Sequence, residues 1–215
     1  IGNIFIPHDI PVKSLPIEKK MLVLGMYGTE IDFFSLKGIV SELLLKLGIS
    51  KCVFEPEKNH TSFHPGRCAN IVYGNHILGT IGEIHPDVVE NYGLDNRVYI
   101  ADLDFNIMLQ ITRLDRLYTP LPKYPSTSRD MAITVKEEIY SKEIEDIIVA
   151  NGGKILEKCT LFDVYRGKQI TKGYKSMAYS LTFRAKDKTL TDEEVNKVFD
   201  KILNQLREKL NAELR

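Results

Sequence analysis

Residues 116–123, RLYTPLPK, decide how the rest of this chain can be read. Pro120 and Pro122 bias the residues before them toward extended backbone and take two amide donors out of the chain, so neither a helix nor a central strand runs through this stretch. The segments on either side must therefore satisfy separate hydrophobic patterns. YPSTSRDMAITV, from Tyr124 to Val135, is read as the start of a new unit. This gives a first domain over 1–112, a linker over 113–123 and a second domain over 124–215.

The second part has a regular rhythm. DMAITV is a strand, and SKEIEDIIVANGG is a helix stopped by paired glycines. KILEKCTLFDVY and YKSMAYSLTFRA are strands joined through RGKQITKG. The segment TDEEVNKVFDKILNQLREKLNAELR is a long helix: Thr191 with Glu194 makes a capping box, and Val195, Val198, Phe199, Ile202, Leu206 and Leu210 share one face. With a short last strand at the C-terminus the order is β-α-β-β-α-β, the ferredoxin-like arrangement, in which both helices cover one sheet face and leave the other open. In the third strand Met177, Tyr179, Leu181 and Phe183 alternate with Ser176, Ala178, Ser180, Thr182 and Arg184. The open face is thus expected to be small and polar, without a pair of aromatic rings. In KILEKCTLFDVY the adjacent Leu161 and Phe162 break the alternation, which points to a bulge and leaves that strand's faces unassigned.

The first part reads as an antiparallel sheet with one main helix. IGNIFI, KKMLVLGMYG, KCVFEP and RVYIADLDF are strands, and RCANIVYGNHILGTIGEI is a hairpin turning at Gly74-Asn75. FFSLKGIVSELLLKLGI is a helix with Ser35 as N-cap, an apolar stripe through Leu36, Ile39, Val40, Leu43, Leu44 and Leu47, and a C-terminal cap at Gly48. HPDVVENYGL and NIMLQIT are short helices. The fold class expected for the whole is α+β.

Charge narrows the function less than its distribution does. Lysines and arginines number 29 and so do the acids, which excludes a chain-wide field for polyanions. Between Arg166 and Lys188, however, Arg166, Lys168, Lys172, Lys175, Arg184, Lys186 and Lys188 meet only Asp187 within that stretch. An open polar sheet edged by a basic hairpin suits RNA, with phosphates on the cations and the sheet as platform; a solvated edge protected from aggregation has the same composition. Cys52, Cys68 and Cys159 are odd in number and lack C-x-x-C spacing, which fits a reducing compartment, and no apolar run reaches membrane-spanning length. The chain opens on Ile1, already inside a strand pattern, as a piece of a longer protein would.

Chemical motifs are sparse. His60 and His64 are four apart but sit in a loop before Pro65-Gly66 with no third ligand, so no metal site is assigned. Glu83 and His85 share strand parity, yet an edge residue and a helix-start residue explain them better than an acid-base pair. No nucleophile elbow, phosphate loop or dinucleotide fingerprint is present, and no catalytic residue is assigned.

Five stretches together carry a resemblance: DFFSLKG (Asp32 to Gly38), HPGRCANIVYGNHILGTIGEIHPDVV (His64 to Val89), YPSTSRDMAITV, LFDVYRG (Leu161 to Gly167) and LTFRAKDKTLTDEEVNKVFDKI (Leu181 to Ile202). In this order the chain resembles the C-terminal part of bacterial phenylalanyl-tRNA synthetase beta subunits. The resemblance implies that the first part is the later portion of a class II synthetase-like domain that has lost catalysis, and that the second is a ferredoxin-fold anticodon-binding domain. It further implies a cytoplasmic alpha2-beta2 heterotetramer with the alpha subunit, which handles phenylalanine and ATP. The tRNA for phenylalanine is then the nucleic-acid partner, ATP and magnesium serve the whole enzyme, and no cofactor belongs to this stretch. Editing and magnesium residues of the family would lie upstream of Ile1. Where a class II site wants an arginine after its glycine-bearing strand, ILGTIGEIHP offers Glu83. Expected phosphate contacts are Arg166, Lys168, Lys172, Lys175, Arg184, Lys186 and Lys188, with Arg129 beside the first strand. Two other classes compete: an amino-acid-sensing regulatory domain, although VKEEIYSK lacks the glycine-bearing turn such domains use, and a metal hydrolase built on His60 and His64.

Overall fold

The computed structural model describes every residue except Arg116, Leu117, Thr119 and Lys168. It divides into two compact units, Ile1–Leu117 and Tyr118–Arg215. Three of the four undescribed residues fall in the expected linker 113–123.

In the first unit the described strands are β1 (Gly2–Ile6), β2 (Ile17–Tyr27), β3 (Val53–Pro56), β4 (Phe63–Tyr73), β5 (His76–Ile84) and β6 (Val98–Asp104). They form one antiparallel sheet in the order β1-β2-β6-β5-β4-β3. Helix α1 (Phe33–Lys46) packs Leu36, Val40 and Leu44 on Ile71, Ile81, Ala101 and Leu103, all essentially closed to solvent. Its start differs from expectation. Asp32 is the N-cap, accepting from Ser35 N at 2.7 Å while Ser35 Oγ accepts from Asp32 N at 3.3 Å, so Ser35 is the return half of a capping box. An anionic acceptor one turn earlier satisfies two orphan amides and lets Phe33 and Phe34 join the helix. Ile39, expected on the apolar stripe, is 47% exposed. Past the helix, Gly48 has φ +76°, and a Cβ there would sit 2.0 Å from Arg113 O, so only glycine fits the cap. Helices α2 (Pro86–Asn91) and α3 (Phe105–Ile111) are short, and Asp104 caps the latter by accepting from Ile107 N at 2.9 Å.

In the second unit β7 (Thr127–Lys136), β8 (Leu156–Tyr165), β9 (Tyr174–Phe183) and β10 (Glu213–Leu214) form a sheet ordered β10-β7-β9-β8. Helices α4 (Ser141–Gly152) and α5 (Asp192–Leu210) contribute Ile144, Ile148, Val195, Ile202 and Leu206 to a core shared with Met131, Ile133, Val135, Met177, Tyr179, Leu181 and Phe183. The ferredoxin-like order read from the sequence is the one observed, with both helices on one sheet face. Asn211, in the left-handed region at φ 50°, ends α5 and returns the chain to lay β10 beside β7.

Strand β8 settles what its sequence left open. Its register against β9 shifts between Leu156 and Lys158 and again between Leu161 and Asp163. Cys159 and Leu161 lie opposite Leu181 and Tyr179 and face the core. Beyond the second bulge Asp163 and Tyr165 lie opposite Ala178 and Ser176, on the open face.

Candidate nucleic-acid interface

The open face of the second sheet is built on a floor of small side chains. Ala132, Ala178 and Ser180 occupy its middle, because each is paired with a residue of the same parity across β7 and β9. Two tyrosines rise from one end of this floor. Tyr165 pairs with Ser176, and Tyr174 is two residues before Ser176 on the same face. They are 36% and 38% exposed, and Phe162, at the second bulge, is 58% exposed and outside the core cluster. The expectation that this face lacks a pair of aromatics is therefore wrong. The parity of Tyr174 was readable from YKSMAYS, whereas that of Tyr165 depends on the bulge.

Neighbouring groups hold Tyr165 in place. Its hydroxyl end rests on Gly167, where a Cβ would lie 2.3 Å from the oxygen, so the turn after β8 needs a residue without a side chain. The Arg215 amide donates to Ala132 O at 2.8 Å, extending the β10 pairing by one residue. The Arg215 guanidinium lies 5.1 Å from the centroid of the Tyr165 ring and donates from Nη2 to Gln169 Oε1 at 2.7 Å. A ring with a cation over it, on the same face as the exposed carboxylate of Asp163 and beside the exposed Gln169, provides a stacking surface with polar groups at its rim. None of Asp163, Tyr165, Gln169, Tyr174 and Arg215 was singled out from the sequence.

The basic residues that were singled out do not form one patch. Strand β9 spans ten residues, roughly 30 Å at about 3.3 Å per residue. Arg166, Lys172 and Lys175 lie toward its beginning, while Arg184, Lys186 and Lys188 follow its end. Lys168 is outside the described residues. Tertiary folding also supplies counter-charges that the local count missed. Arg166 Nε donates to Glu137 Oε1 at 2.8 Å, and Arg184 Nε reaches both oxygens of Glu157 at 3.1 and 2.9 Å while its Nη1 donates to Tyr124 O at 2.5 Å. Lys188 pairs with Glu194, which raises the lysine pKa.

Lys175 is only 7% exposed and donates to Glu137 O at 2.8 Å; burial lowers its pKa, the Glu137 carboxylate opposing. Arg129 shares parity with Met131 on the helix-covered side, where Asp192 and Asn196 of α5 accept from it at 2.5 and 3.4 Å. Lys172 and Lys186 are exposed. They carry no hydrogen bond or ion pair among the described residues.

In the first unit His60 Nδ1 accepts from Ser62 N at 3.3 Å, His64 Nδ1 accepts from Gly66 N at 3.0 Å, and His85 Nδ1 accepts from Asp87 N at 3.3 Å. Each imidazole shapes its own turn. Glu83 is hydrogen-bonded by Arg67 and Tyr99.

Two family models match successive parts of the chain. Residues 1–105 match the family model described as the phenylalanyl tRNA synthetase beta chain CLM domain, and residues 122–215 match the ferredoxin-fold anticodon binding domain. Over its whole length the chain is 46% identical to the phenylalanine–tRNA ligase beta subunit of Clostridium tetani and 44% identical to that of Clostridium acetobutylicum. It is 38% identical to that of Bacillus licheniformis. The chain spans 27% of the length of the two clostridial relatives and 28% of the third. With both domain models matched in order and full-length identity at this level, the chain belongs to the family of phenylalanine–tRNA ligase beta subunits, of which it represents a part.

Proposed function

We propose that this chain works within a phenylalanine–tRNA ligase, the ATP-dependent enzyme that joins phenylalanine to its tRNA, and that its second unit holds the anticodon region of that tRNA on the open sheet face. The observation that carries this reading is the exposed Tyr165 and Tyr174 pair above a floor of Ala132, Ala178 and Ser180. Small floor residues let a nucleobase approach the sheet, the ring faces stack on it, and the exposed Asp163 and Gln169 offer hydrogen bonds to its edges. Exposed Lys172 neutralises phosphate at the tyrosine end and Lys186 at the far end. The first unit serves assembly with the alpha subunit in an alpha2-beta2 heterotetramer in the cytoplasm, and catalysis with ATP and magnesium belongs to the whole enzyme. Alone, this chain is expected not to aminoacylate.

The test is fluorescence anisotropy of labelled phenylalanine tRNA titrated with the chain at several salt concentrations, beside the same tRNA with its anticodon replaced. Binding that falls with salt and weakens on anticodon replacement supports the reading. Equal affinity for both tRNAs would remove the sheet face from anticodon recognition.

A further inference from the structure

We propose that Arg215 is a positioning residue for base stacking: reaching over from the opposite edge of the second sheet, it holds the Tyr165 ring and the loop after β8 in the arrangement that receives a nucleobase. This rests on the reading of the open sheet face as a tRNA site. In the order β10-β7-β9-β8, Tyr165 ends one edge strand and Arg215 directly follows the other. The register lays two neighbouring rows across the open face. Glu213, Thr134, Ser176 and Tyr165 form one. Ala132, Ala178 and Asp163 form the next, and the bond from the Arg215 amide to Ala132 O adds Arg215 to it. Three strand spacings, about 14 Å, separate the edges. Ala132 and Ala178 put only methyl groups in between, so a long side chain can cross the floor. The Arg215 guanidinium lies 5.1 Å from the centroid of the Tyr165 ring and donates to Gln169 Oε1 at 2.7 Å. One residue thus ties together the backbone of β7, the ring on β8 and the loop between β8 and β9.

Two further observations favour holding over phosphate binding. Among the strand residues of this face, Lys136 and Lys158 stand against Asp130, Asp163 and Glu213, and Arg215 brings the two signs level. The face is therefore no basic patch, and the guanidinium is already engaged within the protein. Ser176, opposite Tyr165, is only 3% exposed although both helices lie on the other side of the sheet. Side chains of the open face itself must close it, which puts the ring against the sheet rather than out in solvent. Gly167 leaves room for its hydroxyl end. A tyrosine free to rotate would lose that freedom on stacking, whereas a ring already held loses less, and the ordering cost avoided appears as affinity.

The test is a double-mutant cycle on tRNA binding. Anisotropy of labelled phenylalanine tRNA is followed at several salt concentrations with the 215-residue chain and with Arg215→Gln, Arg215→Lys, Tyr165→Ala and Tyr165→Ala combined with Arg215→Gln. Arg215→Gln should weaken binding about two- to fivefold, the equivalent of one exposed cation–ring contact, and leave the salt slope unchanged. Arg215→Lys keeps a cation for the ring and should recover much of the loss. In the Tyr165→Ala background Arg215→Gln should add nothing. In the free chain the Tyr165 ring-proton NMR signals should shift in Arg215→Gln, while the urea midpoint stays close to wild type because Arg215 is exposed. A flattened salt slope would make Arg215 a phosphate contact and overturn the positioning role. Tighter binding in Arg215→Gln would make the guanidinium a competitor for the ring and overturn it too, as would an equal loss in the Tyr165→Ala background. If Tyr165→Ala weakens binding and Arg215→Gln does not, the proposal alone falls; if Tyr165→Ala changes nothing, the stacking reading falls and takes the proposal with it.

Discussion

Replacing Tyr165 with alanine separates stacking from charge at the open sheet face. A base stacked on an aromatic ring contributes about 1–3 kcal/mol. In the free protein the Arg215 guanidinium sits over that ring at 5.1 Å, an exposed cation–π contact worth about 0.5–1 kcal/mol. If the base displaces the guanidinium, this amount is subtracted; if it takes the other ring face, it is not. The net cost of Tyr165→Ala is then about 1–2 kcal/mol, a rise in Kd of roughly 5- to 30-fold. No charge is removed, so the slope of log affinity against log salt should not change. The assay is anisotropy of labelled phenylalanine tRNA at four or more salt concentrations, with Tyr165→Phe as control, which keeps the ring and should bind within about twofold. Because Tyr165 lies on the face away from the helices, urea unfolding should change little. Unchanged affinity in Tyr165→Ala, or a changed salt slope with unchanged stability, would refute the stacking role.

Other expectations follow from the same geometry. Lys172→Gln and Lys186→Gln should each flatten the salt slope by somewhat under one unit per phosphate lost, whereas Lys175→Met should leave it unchanged because that ammonium is buried on Glu137 O. Salt titrations of the three variants check this. Arg184→Ala should lower stability in urea by about 1–2 kcal/mol, since the side chain is 24% exposed and ties Glu157 and Tyr124 O together; any loss of tRNA affinity must be measured against that. Gly48→Ala should destabilise the first unit by more than about 1 kcal/mol, because the left-handed backbone and the 2.0 Å approach to Arg113 O both resist a methyl group; thermal unfolding followed by circular dichroism reads this. The Asp32 carboxyl pKa is lowered, chiefly by the Ser35 hydroxyl and then by the Ser35 amide. A depressed folded pKa gives stability that is complete above the unfolded carboxyl value of about 4 and is lost as pH falls through the folded one. Asp32→Ala should therefore cost about 1 kcal/mol at pH 7 and less near pH 3, as urea midpoints at the two pH values would show.

Local pattern along the chain sets the elements and their order. Periodicity near 3.6 in Val195, Ile202 and Leu206, alternation through Met177 to Phe183, the break at Pro120 and Pro122 and the cap at Thr191 are local properties, set by backbone geometry and by which face each residue presents. They were enough to read a ferredoxin-like unit. The start of α1 was missed by one turn, because a carboxylate at Asp32 and a hydroxyl at Ser35 each look like an N-cap until their reciprocal hydrogen bonds are seen.

Which residues meet depends on packing in three dimensions. The described cations of the stretch from Arg166 to Lys188 were separated toward opposite ends of β9, and Glu137 and Glu157 from distant segments, with Glu194 nearby, pair with three of them. A single bulge after Leu161 turned Tyr165 onto the open face beside Tyr174, and the return of the chain past Asn211 brought Arg215 over its ring. The physical reason is the same in each case. Side-chain direction in a strand reverses with one added residue, and charge pairing acts through space, so neither is contained in the spacing of residues along the chain.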